Sequence, residues 1–130
     1  MSDTAQISRS ALAGFTGTCN YYRWMGGLVL TDGVHYLARN GAAWLIDIVA
    51  SVRGIAAIQR EPAEFWTLTV HSQTSRGTIV CTDGGKGENG EAVELYRQDI
   101  PFTDFPLSEL SLYVILDHAL GKVVLLPSEY

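Results

Sequence analysis

The stretch LTDGVHYLARNGAAWLIDIVASVRG, residues 30–54, decides how the rest of the chain is read. Its first part sets Asp32-Gly33 between two β-rich runs, and Asp-Gly suits a two-residue turn whose backbone needs positive φ. That predicts a hairpin of Leu28–Thr31 with Val34–Leu37. Asn40 then caps a helix from about Gly41 to Arg53, and Gly54 ends it in the left-handed region. On this helix Trp44, Leu45, Ile48, Val49 and Val52 share one arc, which leaves Asp47 and Ser51 on a solvated face. Read this way the stretch is scaffold.

Working outward, SRSALAGF at residues 8–15 offers Ser8 or Ser10 as an N-cap and Gly14 as a stop for a short helix. The aromatic run FTGTCNYYRW, residues 15–24, brings Tyr21, Tyr22, Arg23 and Trp24 together as candidate lining for a pocket. Beyond the polar connector QREPAE, the chain turns to β. In FWTLTVHS, Phe65, Thr67, Thr69 and His71 alternate with Trp66, Leu68 and Val70, the pattern of a half-buried strand. GTIVCT and AVELYRQDI flank the glycine-rich DGGKGENG, read as a hairpin with a mobile tip from Asp83 to Gly90. LSLYVIL and KVVLLP flank DHALG and form a last hairpin. The sum is about seven strands and one main helix without internal repeats. That predicts a single α+β domain over residues 1–130, a mostly antiparallel sheet packed on the helix.

Composition supports a folded core. Of 130 residues, 47% are hydrophobic and 18% charged, so disorder is not expected. No run of about 18 apolar residues is present, and no basic-then-apolar leader opens the chain. A cytoplasmic protein without a membrane segment is the expectation. The charge is uneven. Residues 83–109 hold seven acids (Asp83, Glu88, Glu91, Glu94, Asp99, Asp104, Glu109) against Lys86 and Arg97, which equals the net −5 of the whole chain. Such a tract repels nucleic-acid phosphate and attracts a basic partner.

Chemical signatures are sparse. The glycine-rich loop lacks the Gly-Lys-Ser/Thr of a phosphate cradle, and a strand rather than a helix follows it. No Gly-x-Ser-x-Gly nucleophile elbow exists. Cys19 with His35 or His71 as base is the best nucleophilic pairing, although in a reducing compartment Cys19 and Cys81 both read as buried thiols. His71 reads as a hydrogen-bonded structural histidine, and His118 as solvated. The carboxylate pairs Glu61/Glu64 and Glu91/Glu94 fall in surface-like segments. No cofactor and no metal site is expected, because the histidines lack ligand spacing with the cysteines.

The ordered series Phe15-Thr16-Gly17, Asn20-Tyr21-Tyr22-Arg23, Thr31-Asp32-Gly33, Trp44-Leu45, Asp104-Phe105-Pro106 and Leu126-Pro127-Ser128-Glu129-Tyr130 resembles a bacterial family of short proteins, often encoded near plasmid or phage genes and classed as a domain of unknown function. The resemblance spans most of residues 15–130 and implies an accessory product of mobile elements, with no catalytic assignment. Two function classes follow. The first is a non-enzymatic protein that binds a protein partner, a basic one on the charge argument above, through Glu91, Glu94, Tyr96, Asp99 and Asp104, and inhibits a host defence complex in the manner of an anti-CRISPR. The second is a small enzyme or ligand-binding module built on Tyr21, Tyr22, Arg23 and Trp24.

Overall fold

A computed structural model describes residues 6–85 and 87–130. The chain is an α+β protein built on one seven-stranded sheet. Its elements run α1 (Arg9–Ala13), β1 (Tyr22–Arg23), β2 (Leu28–Leu30), α2 (Asp32–Leu37), α3 (Ala43–Ser51), α4 (Ala56–Gln59), β3 (Ala63–His71), β4 (Arg76–Thr82), β5 (Glu94–Ile100), β6 (Glu109–Asp117) and β7 (Gly121–Leu125). The strand order is β1-β2-β7-β6-β3-β4-β5. β2 and β7 pair in parallel, and every other pairing is antiparallel.

Residues 30–54 fold differently from the reading above. Asp32-Gly33 does not turn a hairpin; it opens a helix. Thr31 is the N-cap, its hydroxyl accepting from the Val34 amide at 3.4 Å. Val34 and Leu37 stand three residues apart on one helical face and are fully buried, so the spacing that suited a short strand served a helix equally well. The actual hairpin lies just upstream. β1 and β2 are joined through Gly26 and Gly27, both with left-handed φ of 71° and 75°. The count of seven strands holds, with Tyr22–Arg23 in place of Val34–Leu37.

The main helix therefore starts at Asp32, not Gly41. α2 passes through a wide turn at Ala38–Ala42 into α3, with Gly41 at φ 97°. Asn40 is not a cap; its side-chain amide donates to the Tyr36 carbonyl at 2.7 Å. The helix stops at Ser51, and Gly54 has no left-handed φ. Its buried face is Leu45, Ile46, Val49 and Ala50, while Trp44 and Ile48 are only half-buried against the core. Because residues 42–50 are apolar all round except at Asp47, the pattern could not fix the centre of that face. At the N-terminus the reading holds: Ser8 caps α1 by accepting from the Ala11 amide, and Gly14 ends it.

The helices cover one face of the sheet. Trp66, Leu68, Ile79, Cys81, Leu110, Leu112, Val114, Leu28, Leu30 and Val124 meet Val34, Leu37, Leu45, Ile46, Val49 and Ile58 in one core cluster. Strand alternation sends the intervening side chains to the opposite face. There Val29, Val123, Ile115 and Ala63 form one cross-strand row, and Leu125, Tyr113, Phe65, Thr82 and Glu94 form the next. Val29, Val123 and Leu125 are buried, yet lie outside the core cluster. The face thus grades from apolar at β7 to charged at β5.

Candidate functional site

The acidic tract is divided by the geometry of β5. A register shift between Cys81 and Thr82 pairs Cys81 with Tyr96 and Thr82 with Glu94, so Leu95 is the extra residue of a bulge. A bulge reverses the alternation on its own strand. Glu94, Tyr96 and Gln98 therefore do not share a face. Glu94 and Asp99 lie on the uncovered face, whereas Tyr96 follows Cys81 toward the core, its ring 6.1 Å from that of Trp66 and its hydroxyl donating to Gln98 Oε1 at 2.8 Å. The bulge also brings Arg97 within 2.8 Å of the Glu94 carboxylate, which lifts the guanidinium further above its ordinary value through that hydrogen bond. Asp99 accepts from the Thr78 hydroxyl at 3.3 Å.

The other expected partner residues sit apart from this strand. Exposed Glu91 accepts from the Asn89 amide at 2.8 Å. Exposed Asp104 lines a recess of about 510 Å³ with Arg9, Thr103, Phe105 and Ser108. The neighbouring recess, about 540 Å³, shares Arg9, Leu107 and Ser108. The glycine-rich loop is not a free tip. Asp83 is buried, and its carboxylate accepts from the Gly85 amide at 3.0 Å and the Val93 amide at 2.9 Å. Gly84 lies so close on Phe65 that a Cβ there would stand 2.3 Å from the ring.

The aromatic run diverges rather than lining one pocket. Tyr21 and Arg23 are exposed. Trp24 donates its indole N–H to Asp47 at 2.9 Å, so Asp47 is a hydrogen-bond anchor and not a merely solvated residue. Of the four candidate lining residues only Tyr22 enters a recess, of about 240 Å³, with Phe15 from the start of the run and Asp32, His35, Tyr36 and Arg39. Its ring stacks on His35 at 3.7 Å and 4°. Asp32 collects the Cys19 amide at 2.8 Å and the Tyr22 hydroxyl at 3.0 Å. The Cys19 amide foremost holds the Asp32 carboxyl below its usual range. The bond to Asp32 in turn raises the Tyr22 phenol. Burial, then the Arg39 charge, lowers the His35 imidazole, which favours its neutral form.

Cys19 is exposed, contrary to expectation, and Cys81 is buried. Among the described residues no hydrogen bond joins the Cys19 thiol to His35 or His71. His71, at the end of β3, is exposed, and His118 is exposed as expected. Burial foremost, then the Glu64 charge, pushes the Cys81 thiol up to about 12, so it stays protonated and unreactive. Among the described residues no group of three His, Cys, Asp or Glu is placed to hold a metal ion, and no helix is long and apolar enough to cross a membrane.

Two carboxylates were misjudged or passed over. Glu64, read as a surface residue, is fully buried. It takes both Arg53 terminal nitrogens at 2.8 and 2.6 Å, Lys122 Nζ at 2.7 Å and the Trp66 indole N–H at 3.0 Å. Burial pushes its carboxyl up, but the hydrogen bonds from Arg53 and Lys122 outweigh that and leave it lowered. The signal was present: Glu64 has the parity of Trp66, Leu68 and Val70. Glu129 accepts from the Thr31 hydroxyl at 2.7 Å, the Gly33 amide at 3.1 Å and the Leu126 amide at 3.0 Å. It thus locks the chain's end onto the start of α2. No local signal announces a contact across 96 residues.

The fold and these clusters define a small α+β domain with a satisfied ionic core, an uncovered sheet face and no assembled nucleophile–base pair among the described residues. Residues 6–130 match a family model described as a family of unknown function, DUF6876. The chain belongs to that family. No curated protein and no solved structure matches it.

Proposed function

We propose that the chain is a non-enzymatic protein-binding module whose partner docks on the uncovered face of the sheet. The supporting observation is the composition of that face. Phe65, Val80, Tyr113 and Ile115 are half-buried in its pleats outside the core cluster, beside the buried Val123 and Leu125 and with the Tyr130 ring edge-on to Tyr113. A purely solvated face would alternate to polar residues instead. An apolar centre with a charged margin at Glu94, Arg97 and Asp99 matches the layout of protein interfaces. The resemblance to products encoded near plasmid or phage genes adds a target class, a cytoplasmic host defence complex. The ligand-binding alternative is weaker: Tyr21 and Trp24 turn away from Tyr22, and a 240 Å³ recess is smaller than the roughly 300–1,000 Å³ of small-molecule sites.

The test is affinity purification from a natural host, then binding measurements with the identified partner. Val80→Asp on the uncovered face should weaken binding by at least about ten-fold while the urea unfolding midpoint stays close to wild type. Tyr22→Ala should leave binding unchanged. The opposite pattern would transfer the site to the Tyr22 recess.

A further inference from the structure

The two edges of the sheet are finished differently. At one end β1 is two residues long, too short to template another strand. At the other end β5 runs seven residues, Glu94–Ile100, and among the described residues pairs on its inner side alone. Its irregularity is confined to the bulge at Leu95. From Tyr96 to Ile100 it stays in unbroken register with Cys81 to Gly77. A regular edge presents a row of backbone donors and acceptors that seek partners.

The side chains say what kind of strand fits there. On the edge strand Glu94 and Asp99 outnumber Arg97, and Glu91 adds a further acid just before it. Pairing with a second copy would double the net negative charge along the seam; centred on Arg97 it sets guanidinium opposite guanidinium, and only the register centred on Gln98 sets Arg97 opposite Asp99. A segment with two basic residues four apart would instead place its charges beside Glu94 and Asp99 on the uncovered face and set an uncharged residue beside Arg97, which lies between them.

We infer that the outer edge of β5 captures an extended basic segment of a partner protein as an eighth strand. This rests on the protein-binding reading and adds its geometry and chemistry. Main-chain hydrogen bonds supply affinity, and the alternating side chains supply selectivity.

The probe is a blocked heptapeptide of valine and threonine with lysine at two outward positions four residues apart, added to the full chain and followed by amide NMR and hydrogen exchange. Shifts and slowed exchange should concentrate at Tyr96–Ile100. Three changes should each weaken binding by about ten-fold or more: glutamate in place of lysine, N-methylation of the peptide amides along one edge, and Asp99→Lys in the protein. Asp99→Lys should keep the wild-type amide spectrum away from β5. No perturbation at Tyr96–Ile100, or equal affinity for the N-methylated peptide, overturns the strand addition. If the natural partner then still loses affinity with Val80→Asp, the protein-binding reading stands without it. If neither surface affects that partner, both readings fail.

Discussion

Glu64 and Glu94 are both strand glutamates held by an arginine, yet one sits at the bottom of the core and the other at the rim of the sheet. Glu64 is fully buried and gathers Arg53, Lys122 and the Trp66 indole. Lys122 also donates to the Ile58 and Glu61 carbonyls at 2.8 Å each, so one carboxylate ties β3, β7, the end of α3 and the loop after α4 together. Glu94 meets Arg97 three residues away on its own strand, with side chains 46% and 55% exposed. Water screens that pair and supports either ion alone. The same residue type therefore serves folding in one place and surface charge in the other.

The sharpest way to break this comparison is Glu64→Ala. It leaves two cations and an indole N–H in the core without their acceptor. Removing one partner of a buried ionic cluster costs about 3–5 kcal/mol, so urea unfolding should reveal a loss of that size. A loss under about 1 kcal/mol would mean water reaches Arg53 and Lys122, and Glu64 would then be no different from Glu94.

Acid titration sharpens the same contrast. Because the folded state lowers the Glu64 carboxyl below its ordinary value of 4.5, the unfolded chain takes up the proton first as pH falls. The stability that Glu64 contributes is complete above the ordinary carboxylate range and is lost as pH drops through the lowered value. Unfolding free energies of wild type and Glu64→Ala should therefore draw together as pH falls through the carboxylate range and stay apart at neutral pH. Parallel curves would show that the network is not titrating.

Glu129 is the intermediate case. It is half-buried, and its three donors include the hydroxyl of the Thr31 cap. Glu129→Ala should cost roughly 1–3 kcal/mol by leaving amides at the helix start unsatisfied. The space is tight as well, since a Cβ on Gly33 would lie 2.6 Å from Leu126 Cδ1. Gly33→Ala should cost roughly 1–3 kcal/mol by overpacking. If thermal unfolding finds both variants like wild type, the chain's end does not hold α2.

These three glutamates also mark how far the sequence could be read. The α+β class, the β3 alternation and the Ser8 cap were legible because each rests on local periodicity or capping. Glu64 was legible and misread: its parity pointed inward, but its neighbours Glu61 and Pro62 gave the segment a surface look. The helix at Asp32 was ambiguous, because Val34 and Leu37 satisfy a short strand and a helical face alike. Glu129 and the Leu95 bulge were out of reach. One depends on packing across the fold, the other on the ladder between two strands.

The smallest effect on folding is expected at the rim, and it separates surface charge from binding. Glu91→Lys with Glu94→Lys should leave the urea midpoint unchanged, because Glu91 and Glu94 are exposed and exposed pairs contribute little. Exchanging these two negative charges for positive ones should nonetheless slow association with a basic partner, since like charges then oppose the encounter. At about 0.1 M salt exposed charges are screened beyond about 10 Å, so the difference between variant and wild type should shrink as salt rises. Stopped-flow association rates at low and high salt measure this directly. Equal rates at low salt would reduce the β5 rim to a solubilising margin, and the apolar rows from Phe65 to Leu125 would have to carry recognition alone.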